Sequence, residues 1–129
     1  MEIAVYKIIK DVLKKMSVEC GKTFRVYRNV KVSTRDKKIK NEFDLVIENV
    51  DDSIIYIVEI KSGIYHNDCE KCLAVAKRYH VEAERFLMVT NYMTEYTCKF
   101  IERNCGYYIA NLKNLEEKVF QMLSNDIKK

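Results

Sequence analysis

The feature that most constrains the fold of this chain is an apolar run, Ile54–Lys61, that ends abruptly in charged residues. Its members are nearly all β-branched or aromatic until Glu59, which is typical of a central strand covered on both faces. Glu59 and Lys61 stand two residues apart, so both side chains project from the same face. Charges on a core face are costly unless they bind something. The run therefore predicts a layered fold with a polar site at the end of one strand.

The segments before this run predict one helix and two further strands. Apolar residues recur at helical spacing over residues 2–16. Residues 23–32 alternate apolar with polar side chains, a pattern broken only at Arg28. Strand character resumes over residues 42–48, after a polar turn at residues 33–40. Connections this short join strands as antiparallel neighbours.

Helices and short strands alternate beyond Lys61. The unit from Ile54 to Thr90 predicts a right-handed parallel crossover. The whole order is αβββαβαβα, an α/β domain with an αβββαβ core, a central mixed sheet flanked by helices, and a C-terminal helix-strand-helix extension. The predicted elements after Lys61 are a helix at 66–80, a strand at 86–90, a helix from Met93 to near Gly106, a strand at 107–110, and a last helix containing Leu115, Val119, Met122 and Leu123.

Length and composition favour one folded domain spanning residues 1–129. Hydrophobic residues make up 48% and charged residues 33% of the chain, which excludes an intrinsically disordered protein. No apolar run approaches the roughly 20 residues that a membrane helix needs. Lys7, Lys10 and Asp11 interrupt the first apolar stretch, so a secretory signal does not fit. We expect a cytoplasmic protein with no membrane partner.

The five cysteines are odd in number and irregularly spaced, which argues against a disulfide framework and favours reduced thiols. A zinc or iron–sulfur site, and with it a redox or zinc regulator, is an alternative for Cys69, Cys72, Cys98 and Cys105. Cys69 and Cys72 fall on the apolar stripe of the second predicted helix, where cysteine commonly acts as a small buried hydrophobe.

The residues that suggest chemistry lie on two consecutive strands. Asp44 is on one strand, and Glu59 and Lys61 are on the next. Two carboxylates on neighbouring strands can hold a hard divalent cation such as Mg²⁺ or Mn²⁺. An ammonium group beside them can orient a water molecule or stabilise charge on a phosphate. The alternative is that all three are ordinary charges at strand ends and in a hairpin.

In these residues the chain resembles the PD-(D/E)xK nuclease superfamily, which has the restriction-endonuclease-like αβββαβ fold. The resemblance covers residues 2–90 in element order. It implies that Asp44 and Glu59 bind Mg²⁺ or Mn²⁺ and that Lys61 positions the attacking water. It also implies the backbone carbonyl of Ile60 as a further metal ligand. The activity implied is hydrolysis of DNA phosphodiester bonds, by endonuclease or exonuclease action.

Three details extend or weaken the resemblance. Many family members place a glutamate on the first helix, a part for which Glu2 is a candidate; the alternative is a helix-terminal charge that favours the helix dipole. Glu42 shares a face with Asp44 and is a candidate accessory ligand. Phe43 stands where the family name expects proline. The small single domain also resembles archaeal Holliday-junction resolvases, which implies a homodimer.

Positive charge is concentrated in the first third of the chain. Residues 1–40 hold 12 Lys and Arg against 4 Asp and Glu (+8), whereas residues 41–129 hold 11 against 15 (−4). This asymmetry favours a polyanionic partner, here DNA. A catalytically silent module that binds nucleic acid or serves in assembly is the alternative. The predicted DNA-binding residues surround the first turn: Lys31, Arg35, Lys37, Lys38 and Lys40.

Overall fold

Helix α1 (Glu2–Cys20) is the first element of the fold. The computed structural model describes residues 1–61, 68–90 and 94–127, apart from the side chains of residues 68, 69 and 95. Its apolar stripe, spaced at three and four residues, is buried, as the sequence predicts. The helix runs past the expected end at residue 16 and stops at Gly21, which has a φ of 71° and donates its N–H to the Ser17 carbonyl. Glycine adopts this left-handed conformation at little cost. The buried residues of α1 are Val5, Ile9, Val12, Leu13 and Met16.

Three antiparallel strands follow: β1 (Phe24–Ser33), β2 (Lys40–Asn49) and β3 (Ile54–Lys61). The predicted hairpin pairing is confirmed. The break in alternation at Arg28 has a local cause, because Asn29 next to it has a φ of 51° and is skipped in the pairing with β2. Asparagine tolerates this left-handed conformation better than most residues.

The second half of the chain adds parallel strands to the same sheet. Helix α2 (Asp68–Arg78) leads through a 3₁₀ turn to β4 (Phe86–Thr90), which pairs parallel with β3. Helix α3 (Glu95–Cys105) leads to β5 (Tyr108–Ala110), which pairs parallel with β4. The sheet order is β1-β2-β3-β4-β5, so the predicted element order and mixed sheet are confirmed. The starts predicted at residue 66 and at Met93 lie outside the described residues.

Two hydrophobic clusters cover the two faces of the sheet. Tyr56 and Val58 of β3 pack into the cluster beneath α1, which also contains residues of the last helix, α4 (Leu115–Ile127). Ile57 packs into the opposite cluster with residues of α2 and α3. This explains why β3 is apolar at successive positions rather than at alternate ones.

The C-terminal helix-strand-helix is part of the central architecture rather than an appendage. β5 extends the sheet, and α4 lies against α1 in the first cluster. Two partly or fully buried polar groups tie this region together. Lys118 of α4, only 6% exposed, pairs with Glu102 of α3 at 2.8 Å. Asp126 near the end of α4 accepts hydrogen bonds from Tyr56 (2.7 Å) and Arg85 (2.9 Å).

The expectation that all thiols are reduced is wrong at Cys105. This residue is disulfide-bonded. Cys72 is a buried thiol in the second cluster, as expected for a small hydrophobe, whereas the side chain of Cys69 lies outside the described part of the chain. Cys98 is also a buried thiol of that cluster. Spacing along the chain does not reveal which sulfurs meet in space, so this bond could not be predicted from the sequence. None of the described helices is both long and apolar enough to cross a bilayer.

Candidate active site

The predicted carboxylates meet where β2 and β3 stop pairing. The ladder between these strands ends at the pair Leu45 and Val58. Just beyond it, the backbone N–H of Asp44 donates to Glu59 Oε1 at 3.4 Å, and the N–H of Ile60 donates to Asp44 Oδ2 at 2.8 Å. Each carboxylate therefore accepts a hydrogen bond from a backbone N–H that has no partner in the ladder between the two strands.

When no metal ion is bound, the environment of Glu59 strongly favours the protonated form of its carboxyl group. Its pKa is raised from an ordinary value near 4.5 to about 8. Burial is the largest cause, followed by the negative charge of Asp44 and a hydrogen bond between the two side chains, while Lys61 acts in the opposite direction. A half-buried carboxylate pair of this kind is stabilised either by a proton or by a metal cation.

Glu59 and Lys61 line a cavity of about 150 Å³ between the sheet and α2. Asp44 does not line this cavity, but it is hydrogen-bonded to Glu59, which does. The predicted accessory residue Glu42 is exposed on the cavity wall. The remaining wall is apolar toward the core and polar toward solvent, and consists of Asn41, Phe43, Lys71, Cys72, Val75 and Phe86.

Two wall residues, Asn41 and Lys71, were not predicted. Asn41 Oδ1 accepts hydrogen bonds from Arg78 Nη1 at 3.0 Å and from Tyr79 Oη at 2.9 Å, which fixes the start of β2 against the end of α2. The Tyr79 ring also packs edge-on against Phe43, with 5.7 Å between ring centroids. Lys71 lies on the polar face of α2, and nothing in the sequence distinguishes it from Lys77, the other lysine of that helix.

The other predicted metal ligands are Glu2 and the backbone carbonyl of Ile60. Glu2 lies in the first turn of α1, and its Oε1 is 3.9 Å from Arg28 Nη2. Over residues 1–61, 68–90 and 94–127, no three His, Cys, Asp or Glu side chains form a group that could hold a metal ion, so Glu2 does not complete such a group with the two central carboxylates. The Ile60 N–H is bonded to Asp44, and its carbonyl as a ligand stays a prediction.

The five cations of the first turn lie at the same end of the sheet as the candidate site. β1 and β3 are both antiparallel to β2, so the turn after β1 and the end of β3 lie at the same end of the sheet. Lys31 stands opposite Glu42 in the ladder, and Glu42 lines the cavity. All five side chains are exposed: Lys31, Arg35, Lys37, Lys38 and Lys40.

Comparison with known proteins shows the fold alone. No family model and no curated protein matches the chain. The fold is similar to that of protein VC1899 from Vibrio cholerae (TM-score 0.63, 14% identity), over 93% of this chain and 32% of that one. It is also similar to AF1548, a protein of unknown function (TM-score 0.50, 18% identity), over 81% of this chain and 57% of that one. The chain thus spans about a third and just over half of these two neighbours.

Proposed function

We propose that this protein is a metal-dependent nuclease that hydrolyses DNA phosphodiester bonds. The observation that carries the proposal is the Asp44–Glu59 carboxylate pair, which shares a hydrogen bond where two strands part, with Lys61 beside it on an open cavity. These are the residues through which the sequence resembles the PD-(D/E)xK superfamily. Their convergence depends on strand register, which the resemblance in sequence did not guarantee.

The donor set fits Mg²⁺ or Mn²⁺. Both cations prefer oxygen ligands, and Mg²⁺ keeps several waters, so two carboxylates suffice on the protein side. A cation in place of the shared proton would relieve the repulsion that raises the pKa of Glu59. When bound, such a cation lowers the pKa of a coordinated water and polarises a phosphate. We assign Asp44 and Glu59 to holding it.

Lys61 has a different role in this proposal. It follows Glu59 by two residues on the same strand, lies on the cavity, and is half-buried. An ammonium group in such a partly desolvated position attracts a phosphate oxygen or a hydroxide more strongly than it would in water. Lys61 would therefore hold the attacking water and stabilise the negative charge that develops on the phosphate.

The test is a cleavage assay with matched variants. Labelled single-stranded, duplex, flap and four-way-junction DNA are incubated with Mg²⁺, with Mn²⁺ or with EDTA. We expect cleavage only with a divalent cation, and a loss of at least about 100-fold in Asp44→Asn and Lys61→Met. The controls Glu84→Gln and Lys22→Met change the same kinds of charge at the opposite end of the sheet and should cut normally. Cleavage in EDTA, or cleavage retained in both site variants, would refute the assignment.

A second candidate is a module that keeps this fold without turnover. The observation that favours it is that both carboxylates already accept backbone N–H groups, which gives them a structural role without a metal. Calorimetric titration with Mn²⁺ separates the two functions. DNA binding without metal uptake supports the silent module, whereas metal uptake that disappears in Asp44→Asn supports the nuclease.

The narrower prediction of a Holliday-junction resolvase adds two requirements. A four-way junction must be cut better than linear duplex of the same sequence, because two active sites have to act together. Sedimentation must also show a homodimer at the concentrations used for cleavage. A monomer that cuts linear DNA equally well would remove the resolvase and leave the nuclease.

A further inference from the structure

One side of helix α3 carries two aromatic rings and two cations in a short repeat. Tyr96 is followed by Lys99, and Phe100 is followed by Arg103, each at a spacing of three residues. The two rings are four residues apart, and so are the two cations, which corresponds to about 6 Å along a helix axis. Residues at these spacings are neighbours on the surface of a helix. These four residues are here called the α3 outer face.

Burial shows that the α3 outer face points to solvent. The opposite side of the helix contributes Cys98 and Cys105 to the second cluster, and both are almost fully buried. Tyr96 is 81% exposed and Phe100 is 59% exposed, the two highest values among the aromatic side chains that the structure describes. The two cations are exposed as well. Large apolar side chains that are exposed next to each other are typical of an interaction site.

The charge of the α3 outer face is positive. Glu102 is the one acidic residue among the α3 side chains that the structure describes, and it is turned toward α4 and β5. Its Oε1 is 2.8 Å from Lys118 Nζ, and its Oε2 accepts a hydrogen bond from the Ile109 N–H at 2.9 Å. No described carboxylate of α3 therefore lies between the two rings, and the face attracts an anion.

The α3 outer face belongs to a helix on the same side of the sheet as the candidate site. Three residues of the cavity wall are members of the cluster on which α3 packs: Phe43, Cys72 and Phe86. β3 and β4 run parallel, and Lys61 pairs with Thr90 at their carboxyl ends. α3 is capped by Thr94, four residues later, and four residues span at most about 14 Å. A polymer held on α3 can therefore extend to the candidate site.

We propose that the α3 outer face binds single-stranded DNA, with one base on each ring and a phosphate at each cation. Every nucleotide carries one base and one phosphate, so a repeated unit of ring and cation matches consecutive nucleotides. Duplex DNA keeps its base faces stacked inside the helix and does not offer them to Tyr96 and Phe100. The buried core of a protein interface is depleted of charged residues, whereas here a cation follows each ring. The choice of DNA rests on the proposed nuclease function.

The first test removes the rings. Binding of a labelled thymidine oligonucleotide is measured by fluorescence anisotropy in EDTA, so that no metal-dependent cleavage takes place. The ring variant is Tyr96→Leu with Phe100→Leu, which keeps apolar side chains. We expect it to weaken binding at least about tenfold, because each stacked base contributes to affinity. The control, Phe120→Leu, removes an exposed ring from α4 and should bind as the wild type does.

The second test removes the cations. The charge variant is Lys99→Gln with Arg103→Gln. It should reduce the slope of log affinity against log salt by about 0.7 for each cation that contacts phosphate, whereas the ring variant should leave that slope almost unchanged. The control, Lys10→Gln with Lys14→Gln, removes the same charge at the same spacing from the exposed side of α1 and should keep the wild-type slope.

The third test detects stacking with a tryptophan reporter. The chain contains no tryptophan, so Tyr96→Trp introduces a single one. We expect the oligonucleotide to quench its fluorescence, because a stacked base is in direct contact with the indole ring. Phe120→Trp is the control and should not be quenched.

These tests separate the binding site from the nuclease. Equal affinity of the ring variant and its control would overturn the binding site, as would an unquenched reporter in Tyr96→Trp or tighter binding of duplex DNA or of a uridine oligonucleotide. Metal-dependent cleavage would still stand, because the four residues are separate from the carboxylate pair and Lys61. If the ring variant loses binding as expected but no DNA is cut under any metal condition, the nuclease fails and the binding site stands. Circular dichroism verifies that each variant is folded.

Discussion

Replacing Glu59 by glutamine removes one ionisable group from the carboxylate pair while keeping its shape. The glutamine Oε1 can still accept the Asp44 N–H, and its amide can donate to the Asp44 carboxylate as the protonated glutamate does. Glu59→Gln is therefore a permanent mimic of the neutral, metal-free site. The variant should differ from wild type only where wild-type Glu59 is forced to ionise.

The sign of the pH dependence follows from the pKa of Glu59. The pKa is about 8 in the folded protein, against an ordinary value near 4.5, so the folded state binds more protons than the unfolded state between these values. Wild-type stability therefore falls as pH rises through this window. Below about pH 4.5 the two proteins should be equally stable, and above about pH 8 the glutamine variant should be the more stable one.

The magnitude follows from the same shift. A shift of this size corresponds to at most about 5 kcal/mol. Glu59 is only partly buried, and solvent screening reduces the expected difference in unfolding free energy to about 2–3 kcal/mol at high pH. Addition of Mn²⁺ at a hundredfold excess over its Kd should cancel this difference, because it stabilises the wild type by about 2.7 kcal/mol and finds no complete site in the variant.

The assay is urea unfolding in EDTA and in Mn²⁺, followed by circular dichroism across this pH range. Glu84→Gln serves as the control, since it removes an exposed carboxylate far from the pair and should not change the pH profile relative to wild type. A glutamine variant that is less stable than wild type at high pH would refute the reasoning. So would a wild-type profile that is flat between the two pKa values.

Three further predictions concern stability and DNA binding. Lys118→Met leaves the Glu102 carboxylate without its buried ammonium, and we expect a loss of about 3 kcal/mol in urea unfolding; a loss under 1 kcal/mol would mean that the pair adds little. Asp126→Asn should lower stability by about 1–3 kcal/mol, because its tyrosine and arginine partners lose a charged acceptor, and thermal unfolding measures this. Lys37→Glu with Lys38→Glu should flatten the salt dependence of duplex binding; an unchanged slope and affinity would exclude the turn from the DNA path.

The sequence determined those elements whose ends coincide with a change in local composition. β3 begins and ends at the predicted residues, Ile54 and Lys61, because the apolar run starts after a polar turn and stops at charged residues. α1 was predicted as a helix from its apolar stripe, but its end was placed too early. The stripe stops contributing core residues at Met16, whereas the backbone continues helical until Gly21 allows the chain to turn.

The sequence also placed Glu59 and Lys61 on one face, because side chains alternate along a strand. It did not determine that Asp44 meets Glu59. That contact depends on the register between β2 and β3, in which Leu45 pairs with Val58, and on the end of the ladder just beyond. A slip of one residue would turn Asp44 to the other face without changing the composition of either strand.

Only the tertiary structure decided the features that join distant parts of the chain. The disulfide at Cys105 and the position of β5 in the sheet have no local sign. Periodic patterns report the burial of one face of one element, which is a short-range property. They do not report which elements pack together, because that depends on the combined packing of both faces of the sheet.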